Sequence, residues 1–186
     1  MTPLDIAQEF DRRRYAAWPS LLDADSARRL HAYALMCAST GTMTPDEPNG
    51  ALSAGGDFIM NGVLVDLAPR VEQATGIGVW PTYSFFRVYR CGDVLKKHTD
   101  RPACEISLTL CLGFVADAPW PICIEGPLGV SRVELYPGDA LLYRGIECPH
   151  WRDRFDGETA AQVFLHYVDR TGPYAEWKFD KQPSLA

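Results

Sequence analysis

Residues 105–143 read EISLTLCLGFVADAPWPICIEGPLGVSRVELYPGDALLY. Four short runs stand out in it: Glu105–Leu112, Ile122–Glu125, Val130–Tyr136 and Ala140–Tyr143. They are punctuated by Pro119, Gly126-Pro127 and Pro137-Gly138-Asp139. Runs of that length, rich in aliphatic, β-branched and aromatic residues and closed by turn formers, predict short strands joined by turns. Side chains alternate along a strand, so in the first run Ile106, Leu108, Leu110 and Leu112 share one face, and Glu105, Ser107, Thr109 and Cys111 share the other. A half-buried strand with its polar face in water has this pattern. So does the wall of a barrel enclosing a polar site.

Outward from that stretch, Tyr83–Arg90 upstream and Ala161–Val168 downstream have the same strand-like composition. Six short strands with regular turns indicate a sandwich or barrel. The first 80 residues differ. Helices are predicted over residues 4–16, 23–37 and 63–75, and in the second Leu30, Tyr33, Ala34, Met36 and Cys37 recur at helical spacing behind a cap at Asp23 or Asp25. Gly76 and Gly78 stop the third, and Pro69 is placed to kink or shorten it. Residues 39–57, rich in Gly, Pro, Thr, Asn and Ser, read as a loop. Helices come first and strands later without βαβ alternation, so the class is α+β with an antiparallel β core. The chain reads as one domain over 1–186: helical support and loop in 1–80, the β core in 81–170, and a tail in 171–186.

Bulk properties narrow the function. Of 186 residues 47% are apolar and 23% charged, an ordinary globular composition. A net charge of −6 argues against a general nucleic-acid binder, which needs a basic face, and Arg12-Arg13-Arg14 reads as a solvated helix face beside Glu9 and Asp11. No segment has the roughly 20 apolar residues of a membrane helix, and Asp5, Glu9 and Arg12 interrupt any signal-peptide pattern. The six cysteines, Cys37, Cys91, Cys104, Cys111, Cys123 and Cys148, lack Cys-x-x-Cys spacing and are expected to be reduced thiols. The expectation is a cytoplasmic protein with no nucleic-acid or membrane partner.

Four histidines occur, His31, His98, His150 and His166. In an extended segment His98 and Asp100 stand at i and i+2, on one side of the chain. His150 follows 50 positions after Asp100, in a turn between strands. One His-x-Asp pair and a distant His are what a 2-His-1-carboxylate site requires: three ligands on one face of an octahedral ferrous ion, with open positions for other ligands. His166, in an apolar strand, reads as a hydrogen-bonded core histidine, and His31 on its helix as structural. Trp120, Trp151 and Trp177 are large packing groups, with Trp151 also a candidate pocket wall beside His150.

The ordered set of Tyr89 to Asp100 (YRCGDVLKKHTD), Ser107-Leu108-Thr109-Leu110, Pro137-Gly138-Asp139-Ala140-Leu141-Leu142, His150 and Gly157 resembles the 2-oxoglutarate/Fe(II)-dependent oxygenases, closest to their prolyl 4-hydroxylase-like group. The resemblance covers residues 83–169. It implies a double-stranded β-helix with the N-terminal helices packed outside, and His98, Asp100 and His150 as iron ligands. It also implies Fe(II), 2-oxoglutarate and O2 as cofactor and cosubstrates, and hydroxylation of a small amino-acid-like or peptidyl substrate. Asp100 argues against halogenation, since halogenating relatives lack this carboxylate.

In that family a basic residue on the last strand holds the far carboxylate of 2-oxoglutarate, and a Tyr upstream of the His-x-Asp pair assists. Tyr89 matches that Tyr, but the basic position falls near Thr159, Ala160 and Ala161. The replacements weighed here are Arg87, which shares a strand face with Tyr83, Phe85 and Tyr89, then Arg154 and Arg152 in the turn after His150, and Thr159 as a hydroxyl partner. The expected anchor is Arg87 with Tyr89 and Thr159. Two other readings stay open: a cupin-like metal enzyme that does not use 2-oxoglutarate, and a non-catalytic β-barrel binding module.

Overall fold

A computed structural model describes residues 3–46 and 50–181, and in it the alternating run around Leu108 lies near the middle of a large sheet. That strand is β6 (Ile106–Val115). The others are β1 (Tyr15–Trp18), β2 (Thr44–Pro45), β3 (Leu52–Gly55), β4 (Val79–Arg90), β5 (Leu95–His98), β7 (Ile122–Gly126), β8 (Gly129–Val133), β9 (Ala140–Tyr143), β10 (His150–Arg152) and β11 (Thr159–Asp169). They form a seven-stranded sheet in the order β1-β9-β6-β11-β4-β3-β2 and a four-stranded sheet in the order β5-β10-β7-β8. Every pairing is antiparallel. This is the expected α+β double-stranded β-helix, with α1 (Pro3–Arg13), α2 (Ala24–Ser39) and α3 (Phe58–Thr75) against the large sheet.

The two faces of β6 separate as a barrel wall requires. Ile106, Leu108, Leu110 and Leu112 join Leu64, Leu67 and Val71 of α3 in the core between sheet and helices. Each such side chain, fully buried, contributes about 1.5–3 kcal/mol. Ser107, Thr109 and Cys111 are buried on the opposite face, between the sheets. On β11 the same division puts Ala161, Val163 and Leu165 toward the helices. Ala160 and Phe164 belong to an inner cluster with Tyr89, Trp120 and Phe155.

Several expected elements are corrected. The first helix ends at Arg13 because Arg14 turns left-handed (φ 67), and Tyr15–Trp18 pairs with β9 along the edge of the large sheet instead of extending the helix. The loop expected over 39–57 contains β2 and β3, which extend that sheet beyond β4; its residues 47–49 lie outside the described residues. The third helix starts at Phe58, where Asp57 caps the amides of Ile59 and Met60, and it runs through Pro69. Pro69 and Val65 are both on the exposed side, so the carbonyl that Pro69 cannot bond meets water. β8 ends at Val133, short of the expected Tyr136. His150 begins a strand rather than sitting in a turn. Residues 182–186 of the expected tail lie outside the described residues.

Candidate metal centre

His98 ends β5, His150 opens β10, and the register pairs them directly. Their rings lie 4.4 Å apart between centroids. Asp100, two residues past His98, is fixed by its own backbone: its amide donates to the Gly145 carbonyl at 2.9 Å. Asp100 Oδ1 then stands 3.6 Å from His98 Nε2 and 3.6 Å from His150 Nε2. Two ligands at right angles, each about 2.1 Å from an ion, are about 3 Å apart, so a small closure brings all three atoms onto one cation.

The surrounding hydrogen bonds orient these donors. His98 Nδ1 lies 2.7 Å from the Lys96 carbonyl, and His150 Nδ1 lies 3.0 Å from the Cys148 carbonyl. A carbonyl only accepts, so each Nδ1 carries the proton and each Nε2 presents its lone pair toward Asp100. Burial lowers the pKa of His150, which is 3% exposed, and so favours the neutral imidazole that a metal needs. Ser107 donates to Asp100 Oδ2 at 3.1 Å, leaving Oδ1 for the ion. Behind it, His166 Nδ1 lies 2.9 Å from Ser107 Oγ, and burial brings the His166 pKa down to about 4. A neutral His166 with its proton on Nδ1 donates to Ser107, which donates to the carboxylate.

Asp100 also belongs to a second group with Cys104 and His166 whose donor atoms all lie within 4.8 Å. Its chemistry is poorer. Burial pushes the Cys104 thiol up to about 12, so it stays protonated, and the facing nitrogen of His166 is committed to Ser107. The His98, Asp100 and His150 set is therefore the metal candidate.

These three residues open onto a cavity of about 260 Å³ between the sheets, walled by Tyr83, Phe85, Arg87, Leu95, Tyr143, Phe164 and His166. Arg87 faces inward as its strand parity allows. It donates to Tyr89 Oη at 3.3 Å, pairs with Asp46, and stacks between Phe85 (4.9 Å) and Phe164 (5.4 Å). Tyr89 is fully buried behind the cavity wall, against Trp120.

The structure does not bring Thr159 or Arg154 to this site. Thr159 pairs with the exposed Arg90, whereas its neighbour Ala160 pairs with Tyr89 and points inward, so Thr159 faces away. Arg154 has a side chain 68% exposed beside Asp156. Trp151 also points outward, under Lys97. His31 packs on Gly113, on the helix side of β6.

Arg152 is the inward cation that parity from a turn could not identify. It is 1% exposed, lies over the Trp120 ring at 5.0 Å, and is not part of the cavity wall. Tyr83, Tyr143, Ser107 and His166 also belong to the site's surroundings without having been assigned to it from the sequence, where Ser107 was part of the motif and His166 was read as a hydrogen-bonded core histidine. For His166 a signal existed, since Gln162 and His166 are the polar members of the alternate set 160, 162, 164, 166 on an otherwise apolar strand.

No family model matches the chain, and no curated protein sequence matches it. Solved structures do. A Pseudomonas putida prolyl-4-hydroxylase superposes with a TM-score of 0.77 at 17% identity, over 91% of this chain and 100% of its own. The epimerase SnoN from nogalamycin biosynthesis, in complex with Fe3+, alpha ketoglutarate and nogalamycin RO, gives 0.78 at 14% identity, over 99% and 91%. An oxidoreductase of the 2OG-Fe(II) oxygenase family from Burkholderia pseudomallei gives 0.73 at 12%, over 90% of each chain. At these identities what is shared is the fold, and the chain has the double-stranded β-helix of the 2-oxoglutarate/Fe(II) oxygenase structures.

Proposed function

We propose that the protein is a non-haem Fe(II)/2-oxoglutarate-dependent dioxygenase of the cytoplasm that hydroxylates a small amino-acid-like or peptidyl substrate. The observation that carries this reading is the convergence of His98 Nε2, His150 Nε2 and Asp100 Oδ1 at the wall of one cavity, within a fold shared with such oxygenases. Two neutral imidazoles and a carboxylate on one face leave three positions for a bidentate 2-oxo acid and O2. Arg87 on the cavity wall offers a cation to a dicarboxylic acid, and a second inward arginine, Arg152, is buried beyond that wall.

When bound, iron(II) and 2-oxoglutarate supply an oxidation in which the acid gives succinate and CO2, one atom of O2 entering succinate and the other the substrate C–H bond. The protein's own residues set the conditions. The carbonyls of Lys96 and Cys148 hold the imidazoles, and Ser107 holds the distal carboxylate oxygen. Phe85, Leu95 and Phe164 wall the cavity with apolar surface that excludes water. Burial raises the pKa of Tyr83 and Tyr143, so both remain hydrogen-bond donors at neutral pH. A cavity of about 260 Å³ is small beside typical ligand sites of roughly 300–1,000 Å³, and it must hold the cosubstrate too. It admits one side chain or one small metabolite, which supports the substrate class. Six free cysteines, Cys91 among them exposed, fit a reducing compartment.

Anaerobic titration tests this. Wild-type protein should bind one Fe(II), develop a visible charge-transfer band only on adding 2-oxoglutarate, and release succinate once O2 is admitted; His150→Ala should lose all three while remaining folded. Iron binding without the band or succinate would favour the cupin-like metal enzyme, for which the small Ala160 at the family's cation position is the supporting observation. Protein that takes up no ferrous iron would be the non-catalytic binding module.

A further inference from the structure

The two inward arginines differ in how their charge is answered. Arg87 has the Asp46 carboxylate, the Tyr89 hydroxyl and two phenylalanine rings around it. Arg152 is deeper and poorer. Its Nη1 donates to the Trp120 carbonyl and its Nη2 to Gln162 Oε1 at 3.4 Å, and its Nε, like that of Arg87, has no acceptor; the difference is the missing carboxylate. Its electrostatic neighbours are Tyr89, Cys111, Tyr143 and Cys123, and among the described residues no carboxylate pairs with it. Thr109 Oγ1, buried on the inner face of β6, also lacks a partner. A guanidinium is charged at any working pH and offers five N–H groups, so burying one without an anion is strongly unfavourable. A fully buried cation with a spare donor and no carboxylate beside it is built to receive an anion that arrives from outside the chain.

We propose that Arg152, seated on Gln162, is the anchor for the far carboxylate of 2-oxoglutarate, in place of the cation that the last strand lacks. This rests on the proposed function and names the residue that reads its cosubstrate. Position favours it. Arg152 follows His150 by two residues on the same inner face of β10, about 7 Å along the strand. A five-carbon diacid chelated beside His150 spans a comparable distance to its second carboxyl. On β11, Ala160 is fully buried and too small to fill its inward position, and Gln162, two residues on, is the group that meets the Arg152 guanidinium. The cation has thus moved from the large sheet to the small one, onto the strand that carries a metal ligand. Arg planarity gives a paired, bidentate grip that a shorter polar residue cannot. Arg87, already matched by Asp46 and on the cavity wall beside the metal ligands, is left to the near end of the cavity.

The test is calorimetric binding to the anaerobic Fe(II) protein, with 2-oxoglutarate and with 2-oxobutyrate, which chelates alike but has no far carboxylate. Wild type should prefer 2-oxoglutarate. Arg152→Gln should weaken 2-oxoglutarate about ten- to a hundredfold, leave 2-oxobutyrate and iron binding unchanged, and melt no lower than wild type in the metal-free state, since an unpaired buried charge has gone. If Arg152→Gln does not fold, Arg152→Lys, which keeps the charge but not the fork, should show an intermediate loss confined to 2-oxoglutarate. An unchanged preference in these variants, or its collapse in Arg87→Gln instead, overturns the anchor while leaving the proposed function intact. Wild type that takes up iron(II) but binds neither acid overturns the function, and the anchor with it.

Discussion

His166 is the residue where the site's polarity and the fold's stability meet. It is 5% exposed, its ring packs on Tyr83 at 4.6 Å, and its Nδ1 faces Ser107. Burial, partly offset by the nearby Asp100 carboxylate, lowers its pKa from 6.5 to about 4. The unfolded chain therefore takes up a proton near pH 6.5 that the folded protein refuses until about pH 4. Stability is lost as pH falls through that window and levels off below it, by about 3 kcal/mol for this group. His166→Gln keeps a polar partner for Ser107 but does not titrate. Urea unfolding of the metal-free proteins at pH 7 and pH 4 should show the variant losing about 3 kcal/mol less than wild type; parallel losses would mean His166 is protonated in both states alike. At this scale the three residues that the structure brings together as a candidate metal site were legible in the sequence, since a His-x-Asp pair names two of them and few histidines remain for the third. Arg152 was not legible as an inward residue, because its orientation depends on β10 being a strand, and Cys148-Pro149 beside it reads as a turn.

Among elements, the turn between β9 and β10 does the most to hold the centre. Gly145 accepts from the Asp100 amide at 2.9 Å and donates to the Glu105 carbonyl at 3.1 Å. A Cβ there would collide with Asp100 Oδ2 and the Cys104 carbonyl, and would come 2.9 Å from Ser107 Oγ. Gly145→Ala must therefore push the carboxylate or its serine out of place. Since partners that orient a ligand are worth about 10–100-fold in metal affinity, calorimetry should find a loss of that order in Gly145→Ala. Gly62→Ala, on the open side of α3 with nothing within 4 Å, should bind metal as wild type does and gain slightly in stability. Equal affinity in both variants would show that the turn does not position Asp100. Six strands of the β core, β4, β6, β7, β8, β9 and β11, were readable from local composition and turn formers, whereas β5 and β10 were not. Nor were β1 and β3, because these four-residue strands form by pairing with β9 and β4, contacts far away in sequence, and the two-residue β2 in turn pairs with β3. The start of α3 was missed for a local reason: the Asp57 cap lies inside a stretch whose composition reads as loop.

At the scale of the whole molecule, the two sheets are unequally supported. The large one is backed by three helices, and Tyr167 of β11 ties it to α3 through a 2.8 Å hydrogen bond to the Leu64 carbonyl. The small one contributes both histidines from strands of three and four residues, and its outer strand β8 is largely exposed. A metal bound to His98, Asp100 and His150 would join β5, β10 and the segment after β5 at the less supported side. Unfolding must then break that junction. A ligand that binds only the native state stabilises it by RT ln(1 + [L]/Kd), about 2.7 kcal/mol at a hundredfold excess over Kd. For a domain of this length each kcal/mol shifts the midpoint by about 2–4 °C, so a redox-stable stand-in such as Mn(II) at that excess should raise the melting temperature by about 5–10 °C. EDTA should reverse the shift, and Asp100→Ala should melt at the same temperature with and without the ion. A shift that persists in Asp100→Ala would place the ion elsewhere on the protein and remove the three-residue site as the source of the stabilisation.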